Sequence, residues 1–203
     1  VQSDRTILTE ELFNNAFETF LFGQERNQNS EQLMRVAIHE SGHAILSHLN
    51  GATPCYITIT GRGNFGGYSM STNEEATLFT KQQLLGRIRS ALGGRAAEMV
   101  IYGEEDGVST GASGDLKAAT QIALQMITTY GMGPEGDLMY LPFASEDDGT
   151  KELCNQMLRD ELENTVRILQ ENENMLRQLA NTLMEKNHLM GDELKSLLSE
   201  MKS

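Results

Sequence analysis

Two histidines and a glutamate in the segment 36–45 have the spacing of a metal site with a base beside it. His39 and His43 are four residues apart, so on a helix they project only about 40° from each other and can share one ion, and Glu40 follows the first of them. Zinc suits two imidazoles and an oxygen ligand, and a catalytic zinc site leaves its fourth position to a water whose pKa falls to about 7. A carboxylate beside that water can take its proton, so the pattern predicts metal-assisted hydrolysis.

The residues around this motif favour a helix. Asn29 and Gln32 have capping-box spacing, apolar residues recur at helical intervals after them, and Asn50-Gly51 is a suitable end. We therefore expect a helix over about 30–49 with both histidines on one face. The alternative is a buried helix carrying two ordinary core histidines, which the pattern disfavours because it seldom arises by chance in a chain with four histidines.

Histidine does not supply the third ligand. The metzincin continuation His-x-x-Gly-x-x-His is excluded, because Leu46 and Leu49 occupy the places of its glycine and its last histidine. His48 projects from the other side of the helix, and His188 lies near the C-terminus of the chain. An acidic ligand is therefore expected.

Two carboxylates are candidates for that ligand, and the spacing does not choose between them. Glu98 lies among alanines on a predicted helix, where it is a ligand, a partner that orients a ligand histidine, or a solvated residue. Asp115 follows a glycine-rich loop at the start of another predicted helix, where it is a ligand or a residue favoured there by the helix dipole.

The frame around these residues is predicted to be mainly helical. Thr80 and Gln83 have capping-box spacing at the start of one helix, whose middle, 91–98, consists mostly of small residues. Glycines lower helix propensity, so this run indicates that another backbone, that of the histidine helix, approaches closely. Periodicity and end signals predict three helices besides the histidine helix, over about 9–22, 80–102 and 116–130.

A small β-hairpin is predicted between the histidine helix and the next helix. The run 55–60 is rich in β-branched residues, a turn follows, and 65–70 forms the return strand. An extended peptide can add to an exposed strand edge through main-chain hydrogen bonds, although a purely structural hairpin explains these residues equally well. The residues expected to bind substrate are Ile57, Thr58, Ile59, Gly66, Gly67 and Tyr68.

Composition excludes several classes of protein. The 203 residues carry a formal net charge of −13, which argues against a nucleic-acid surface. No apolar run approaches the roughly 18–20 residues that span a bilayer, so the chain is expected to be soluble, without a membrane segment of its own. Two cysteines far apart suggest free thiols in a reducing compartment. The first residue is Val rather than Met, so we expect a fragment of a longer protein.

The chain is expected to divide into three parts: an N-terminal helix and linker at 1–28, a core around the predicted zinc site at 29–133, and a C-terminal helical segment at 134–203. The last is predicted to contain one long helix, about 151–186, and a short one, about 192–201, joined near His188. Its apolar residues recur at helical intervals, so it is expected to pack on the core or on a neighbouring subunit.

The sequence resembles the peptidase domain of the FtsH-type ATP-dependent zinc proteases, from about Leu8 to the C-terminus. The zinc helix of that family usually reads His-Glu-Ala-Gly-His-Ala, and 39–44 read His-Glu-Ser-Gly-His-Ala here. Further motifs follow in the family's order: Arg62-Gly63, Gly67-Tyr68, Gly93-Gly94-Arg95-Ala96-Ala97-Glu98, Ser109-Thr110-Gly111-Ala112-Ser113-Gly114-Asp115-Leu116 and Tyr130-Gly131-Met132.

The resemblance implies that Asp115 is the third zinc ligand and that Glu98 lies beside the site, in contact with a ligand. Ser41 replaces the usual alanine and Gly114 the usual asparagine; neither change removes a ligand, although the glycine leaves the loop before Asp115 less restrained. The family likeness also implies one zinc ion per chain and a homo-hexamer beneath a ring of AAA+ ATPase domains. These ATPase domains would lie upstream in a membrane-anchored protein, which places the peptidase on the cytoplasmic side of a membrane or its organellar equivalent.

The resulting hypothesis is a zinc endopeptidase that degrades unfolded or membrane-extracted polypeptides delivered by an ATPase module. His39, His43 and Asp115 would hold the zinc, and Glu40 would activate the attacking water. One alternative is a catalytically silent module that assembles hexamers around a structural metal. Another is a zinc hydrolase of small substrates.

Overall fold

The residues that the structure describes form six delimited α-helices and a three-stranded sheet. The structure, a computed structural model, describes residues 12, 16, 19, 20, 29–62, 66–72, 78–134, 138, 140 and 148–200. No helix among them combines the length and apolar character needed to cross a bilayer. The elements are α1 (Ser30–Leu49), β1 (Thr53–Thr58), β2 (Tyr68–Thr72), α2 (Lys81–Asp106), a 3₁₀ turn (Thr110–Ala112), α3 (Ser113–Thr128), α4 (Asp148–Glu171), α5 (Glu173–Lys186), β3 (His188–Met190) and α6 (Gly191–Glu200).

The prediction of a mainly helical chain with a small sheet is confirmed. The predicted helix at 9–22 lies largely outside the described residues, although the four described positions there, 12, 16, 19 and 20, have helical backbone. The predicted boundaries after residues 28 and 133 stay predictions.

Capping sets the starts of the two helices that form the site. The Asn29 side chain accepts a hydrogen bond from the Gln32 amide at 2.8 Å at the start of α1. Thr80 and Gln83 form the predicted capping box at the start of α2. Both starts satisfy amides that would otherwise lack a partner, so local sequence fixes where each helix begins.

α2 changes direction at Gly103, one residue after its predicted end. Gly103 has a φ of 82°, which a residue with a side chain rarely adopts, and the chain then makes one further turn to Asp106. The Gly107 amide closes that turn on the Gly103 carbonyl at 2.8 Å. The kink directs the chain toward the loop that precedes α3.

α1 and α2 touch through their backbones. A Cβ placed on Gly42 would overlap the Gly93 carbonyl oxygen and lie 2.6 Å from the Ala97 Cβ. A Cβ on Gly93 would lie 2.8 Å from the Gly42 oxygen. The small-sided run in α2 therefore lets the histidine helix approach, as the sequence predicted.

The sheet has β1 in its centre and draws its third strand from the C-terminal segment. β1 pairs antiparallel with β2 on one side, as the predicted hairpin, and with β3 on the other. β3 was not predicted, because three residues are too few to show strand alternation. The prediction of a simple two-stranded hairpin is thus incomplete.

The C-terminal segment shares a core with α1 rather than forming an appendage. The predicted single helix at 151–186 is wrong, because α4 and α5 are separate helices divided at Asn172. The side-chain Nδ2 of Asn172 donates to the Ile168 carbonyl at 2.7 Å, a local bond of the kind that competes with helix continuation. Buried residues of one cluster come from α1, β1, α2, β3 and α4–α6, among them Ala37, Ile45, Ile57, Leu169, Leu176, Leu183, Leu189 and Leu198.

A second buried cluster fixes the other half of α2. Ile88 and Leu92 of α2 pack with Ala123 and Met126 of α3 and with Met157 of α4. The first half of α2 is thus held by α3 and α4, and its second half by α1. This arrangement sets the distance between α1, which carries the histidines, and the start of α3.

The backbone contact leads to a stability prediction. We expect Gly42→Ala to lower the free energy of unfolding by about 1–3 kcal/mol, since the new methyl group must push α1 and α2 apart. Urea denaturation measures this change. Gly114→Ala is the matched control, because a Cβ there meets nothing within 4 Å, and it should be neutral or slightly stabilising. Equal stability of Gly42→Ala and the unsubstituted chain would contradict the close approach.

Candidate metal centre

α1 presents both histidines of the motif to the same space. The Nε2 atoms of His39 and His43 lie 3.1 Å apart, and the two rings meet edge to face with centroids 4.8 Å apart. His39 is buried and His43 is partly buried. The four-residue spacing thus produces the shared face that the sequence predicted.

Asp115 completes a three-atom group with the two histidines. In the first turn of α3, its Oδ2 lies 3.1 Å from the Nε2 of His39 and 3.4 Å from that of His43. Ligand atoms bound tetrahedrally at about 2.0–2.1 Å are separated by about 3.3–3.4 Å, so these three atoms have the spacing that a zinc ion requires. Among the described residues they form a group able to hold a metal ion.

Both imidazoles are oriented through their Nδ1 atoms. His39 Nδ1 lies 2.8 Å from the Oε1 of Glu98, and His43 Nδ1 lies 2.8 Å from the backbone carbonyl oxygen of Ser90. A carbonyl oxygen can only accept, so the Nδ1 of His43 carries a proton, and the Nε2 of that ring faces Asp115. The carboxylate of Glu98 has the same effect on His39.

The positions of Glu98 and Asp115 separate the two carboxylate candidates. Glu98 lies on the Nδ1 side of His39, away from the three-atom group, whereas Asp115 lies on the Nε2 side. Glu98 is almost fully buried and also accepts hydrogen bonds from Ser109 Oγ at 2.9 Å and Arg35 Nη1 at 2.8 Å. Its geometry is therefore that of a carboxylate that orients the imidazole of His39.

The electrostatics of the group follow from two carboxylates facing one buried imidazole. Burial disfavours the imidazolium form of His39, but hydrogen bonds to Asp115 and Glu98 outweigh it and raise its pKa to about 10. Burial by itself would raise the pKa of the Asp115 carboxyl, but the two histidines outweigh it and hold that pKa well below its usual range. For Glu98, hydrogen bonds from His39, Arg35 and Ser109 overcome burial and lower its pKa. A bound cation would take the place of the proton between His39 and Asp115.

Glu40 lies beside this group, next to Gly67, which directly precedes β2. It is buried, and that burial raises its pKa even though both histidines favour the ionised form. A Cβ on Gly67 would lie 2.9 Å from the Cγ of Glu40, 2.8 Å from the Thr58 oxygen and 2.5 Å from the Val36 Cγ1. The glycine thus lets the sheet pass directly over the carboxylate.

The six residues expected to bind substrate fall into two groups. Ile57, Thr58 and Ile59 are buried, and β1 is paired on both edges, so a peptide cannot add to that strand. Gly66, Gly67 and Tyr68 are partly buried and lie at the start of β2, an edge strand of the sheet. Among the residues that the structure describes, the strand order β2-β1-β3 places β2 at one side of the sheet, next to β1.

Sequence reasoning missed three contributors to the site. A Cβ on Gly94 would overlap His39 Nε2 and lie 2.5 Å from its Cδ2, so this glycine provides the space for the ring. The run of small residues at 91–98 predicts close approach of another backbone, and it also provides the space for this ring. Arg35 lies four residues before His39, a helical spacing that could have placed it on the same face of the helix. Nothing in the sequence indicates the role of the Ser90 carbonyl.

Gly94 gives a prediction about metal affinity. We expect Gly94→Ala to lower the affinity for zinc about 10- to 100-fold, since the methyl group displaces the imidazole of His39. Chelator competition measures the affinity. Gly86→Ala is a control on the same helix, because the three atoms nearest to its Cβ all belong to the flexible Asn50 side chain, at 3.1 Å or more. Unchanged affinity in Gly94→Ala would show that the ring does not need this space.

Comparison with known proteins gives the family. The profile described as Peptidase family M41 matches residues 26–197. The ATP-dependent zinc metalloprotease FtsH of Mycoplasma mobile is 34% identical over 100% of this chain, and FtsH 2 of Symbiobacterium thermophilum is 39% identical over 83%. The chloroplastic FTSH 6 of Arabidopsis thaliana is 36% identical over 81% of it.

The matches concern one part of these relatives. The chain spans 32% of the Mycoplasma protein, 30% of the Symbiobacterium protein and 27% of the Arabidopsis protein. The resemblance predicted from the motifs is confirmed, since the profile covers most of the chain, including every residue of the metal group. The chain belongs to Peptidase family M41, a family of metallopeptidases, as a peptidase domain of the FtsH type.

Proposed function

We propose that this chain is the zinc-dependent endopeptidase part of a longer protein and that it cleaves polypeptide chains. The observation that carries this proposal is the group of three ligand atoms 3.1–3.4 Å apart with the buried carboxylate of Glu40 beside it. The names of the relatives, zinc metalloproteases, agree with it.

His39, His43 and Asp115 would hold one zinc ion per chain. Two imidazole nitrogens and one carboxylate oxygen form the donor set of catalytic zinc sites, which leave a fourth position open. When bound, the ion supplies polarisation of the scissile carbonyl and acidification of a water molecule. Asp115 is partly buried, so this side of the group is also the one nearer to solvent.

Glu40 is proposed to be the general base. Its carboxylate accepts a proton from the attacking water and then returns that proton to the leaving amine nitrogen. Burial raises its pKa, which brings the carboxylate nearer to the pH at which a base both accepts and donates efficiently. The two other carboxylates near the histidines are already engaged, since Asp115 faces the two Nε2 atoms and Glu98 faces the Nδ1 of His39.

The polypeptide is proposed to bind along the outer edge of β2, with contacts at Gly66, Gly67 and Tyr68. β2 begins directly over Glu40, so an added strand would bring a peptide bond close to the carboxylate. Main-chain hydrogen bonds along a strand edge depend little on side chains. Such binding would suit unfolded or membrane-extracted chains of many sequences.

The setting of the whole protein is a further proposal, supported by the family likeness and the ATP dependence in the relatives' names. The full-length protein would carry an AAA+ ATPase module that delivers substrate, form a homo-hexamer, and be anchored with its peptidase on the cytoplasmic side of a membrane. The strongly acidic chain, with a net charge of −13, does not suit nucleic acid as a partner.

The ligand assignment predicts which substitutions remove the metal. We expect about one zinc per chain, nearly complete loss in Asp115→Ala, and retention in Glu98→Ala with affinity lowered about 10- to 100-fold. Elemental analysis and chelator competition provide the measurements. If Glu98→Ala loses the zinc and Asp115→Ala keeps it, the third ligand is assigned to the wrong carboxylate.

The role of Glu40 predicts a separation of metal binding from catalysis. We expect Glu40→Gln to keep its zinc while peptide-bond cleavage falls at least about 10²- to 10⁴-fold, because the amide cannot accept the proton. Cleavage of an unfolded protein is measured in the full-length protein with ATP and in this chain alone. Glu31→Gln, at an exposed position in the first turn of α1, is the control and should cleave normally. Full activity of Glu40→Gln would refute the mechanism.

A further inference from the structure

Arg35 makes contacts that a surface arginine does not require. It lies one helical turn before His39 on α1, and its Nη1 donates to the Oε2 of Glu98 at 2.8 Å. The same nitrogen donates to the backbone oxygen of Asp106, also at 2.8 Å, and the guanidinium lies over the Tyr102 ring at 4.2 Å. Contacts to a carboxylate, a carbonyl and a ring face restrict the guanidinium in position and in tilt.

The two hydrogen-bond acceptors of Arg35 belong to different parts of the site. Glu98 holds the Nδ1 of His39 through its other oxygen, Oε1. Asp106 ends the turn after the Gly103 kink, from which the chain continues through Ser109 to Asp115. Ser109 Oγ in turn donates to Oε1 of Glu98 at 2.9 Å. One guanidinium therefore touches both the carboxylate behind His39 and the segment that leads to Asp115.

We infer that Arg35 is a positioning residue of the metal centre: it fixes the Glu98 carboxylate so that His39 directs Nε2 to the metal, and it anchors the segment that delivers Asp115. The inference rests on the proposed zinc site and names a residue on which the metal affinity of that site depends. The contacts described for Arg35 are those to Glu98, Asp106 and Tyr102, and none of these belongs to the group His39, His43 and Asp115.

Burial explains why this ion pair matters more than an exposed one. The Arg35 side chain is 31% exposed, but that of Glu98 is only 2% exposed, so its Oε2 has little access to water that could replace a lost donor. A buried carboxylate left with fewer donors moves to find others. Such movement would carry the Oε1 that orients the imidazole with it.

The test measures zinc affinity in the 203-residue chain by chelator competition, together with the visible absorption spectrum of the Co²⁺-loaded protein. We expect Arg35→Met to weaken zinc binding about 10- to 100-fold and to change the Co²⁺ spectrum, with Arg35→Lys recovering part of the loss. Arg167→Met is the matched control, because this exposed arginine bonds to Asn164 on α4 and should leave both measurements unchanged.

A double-mutant cycle with Glu98→Ala separates positioning from general damage to the fold. If Arg35 acts through Glu98, adding Arg35→Met to Glu98→Ala should lower zinc affinity by less than about threefold further. Fully additive losses would overturn that route, and unchanged zinc affinity in Arg35→Met would overturn the inference while leaving the proposed function intact. Should Arg35→Met not fold, Arg35→Lys replaces it in the test: zinc affinity equal to that of the unsubstituted chain would overturn the inference, because lysine lacks the planar guanidinium that contacts Glu98, Asp106 and the Tyr102 ring. An unsubstituted chain that binds no zinc overturns the proposed function as well.

Discussion

The site depends on the contact between the backbones of α1 and α2 at Gly42 and Gly93. Because no side chain separates the helices there, α2 lies close enough for two of its groups, the Ser90 carbonyl and the Glu98 carboxylate, to reach the Nδ1 atoms of the two histidines. A larger residue at the crossing would push α2 away from α1, and both groups would move away from the imidazoles. The geometry of the metal group is therefore set by helix packing as much as by the His-Glu-x-x-His motif.

A chain of hydrogen bonds transmits this packing to the ligand atoms. Each imidazole has one nitrogen fixed by α2 and the other free for a cation, and Asp115 reaches the free side from α3. α3 is itself held against the first half of α2 by a separate buried cluster. Three helices and two buried clusters thus place three atoms at the spacing that a small ion requires.

Local signals predicted what local interactions determine. The starts of α1 and α2 follow from side-chain caps within three residues, and the shared histidine face follows from helical spacing. The third ligand could not be chosen from spacing, because the choice depends on which carboxylate lies on the Nε2 side once the helices have packed. Contacts between distant residues could not be predicted either, since Arg35 and Glu98 are 63 positions apart in the sequence. The break at Asn172 was missed for another reason, because the helical period of apolar residues continues through it.

The sheet over Glu40 has a consequence for how the domain folds. β1 pairs with β3, and Thr58 bonds Asn187 across 129 positions of sequence, so the central strand receives its second neighbour from almost the opposite end of the chain. Closing such a long loop carries an entropic cost and slows folding. During synthesis the strand must wait for residues 188–190, whereas the histidine helix is made early. The sheet is thus completed only after residues 188–190 have been made, and a chain released short of residue 188 would contain His39, His43 and Asp115 but an unfinished sheet.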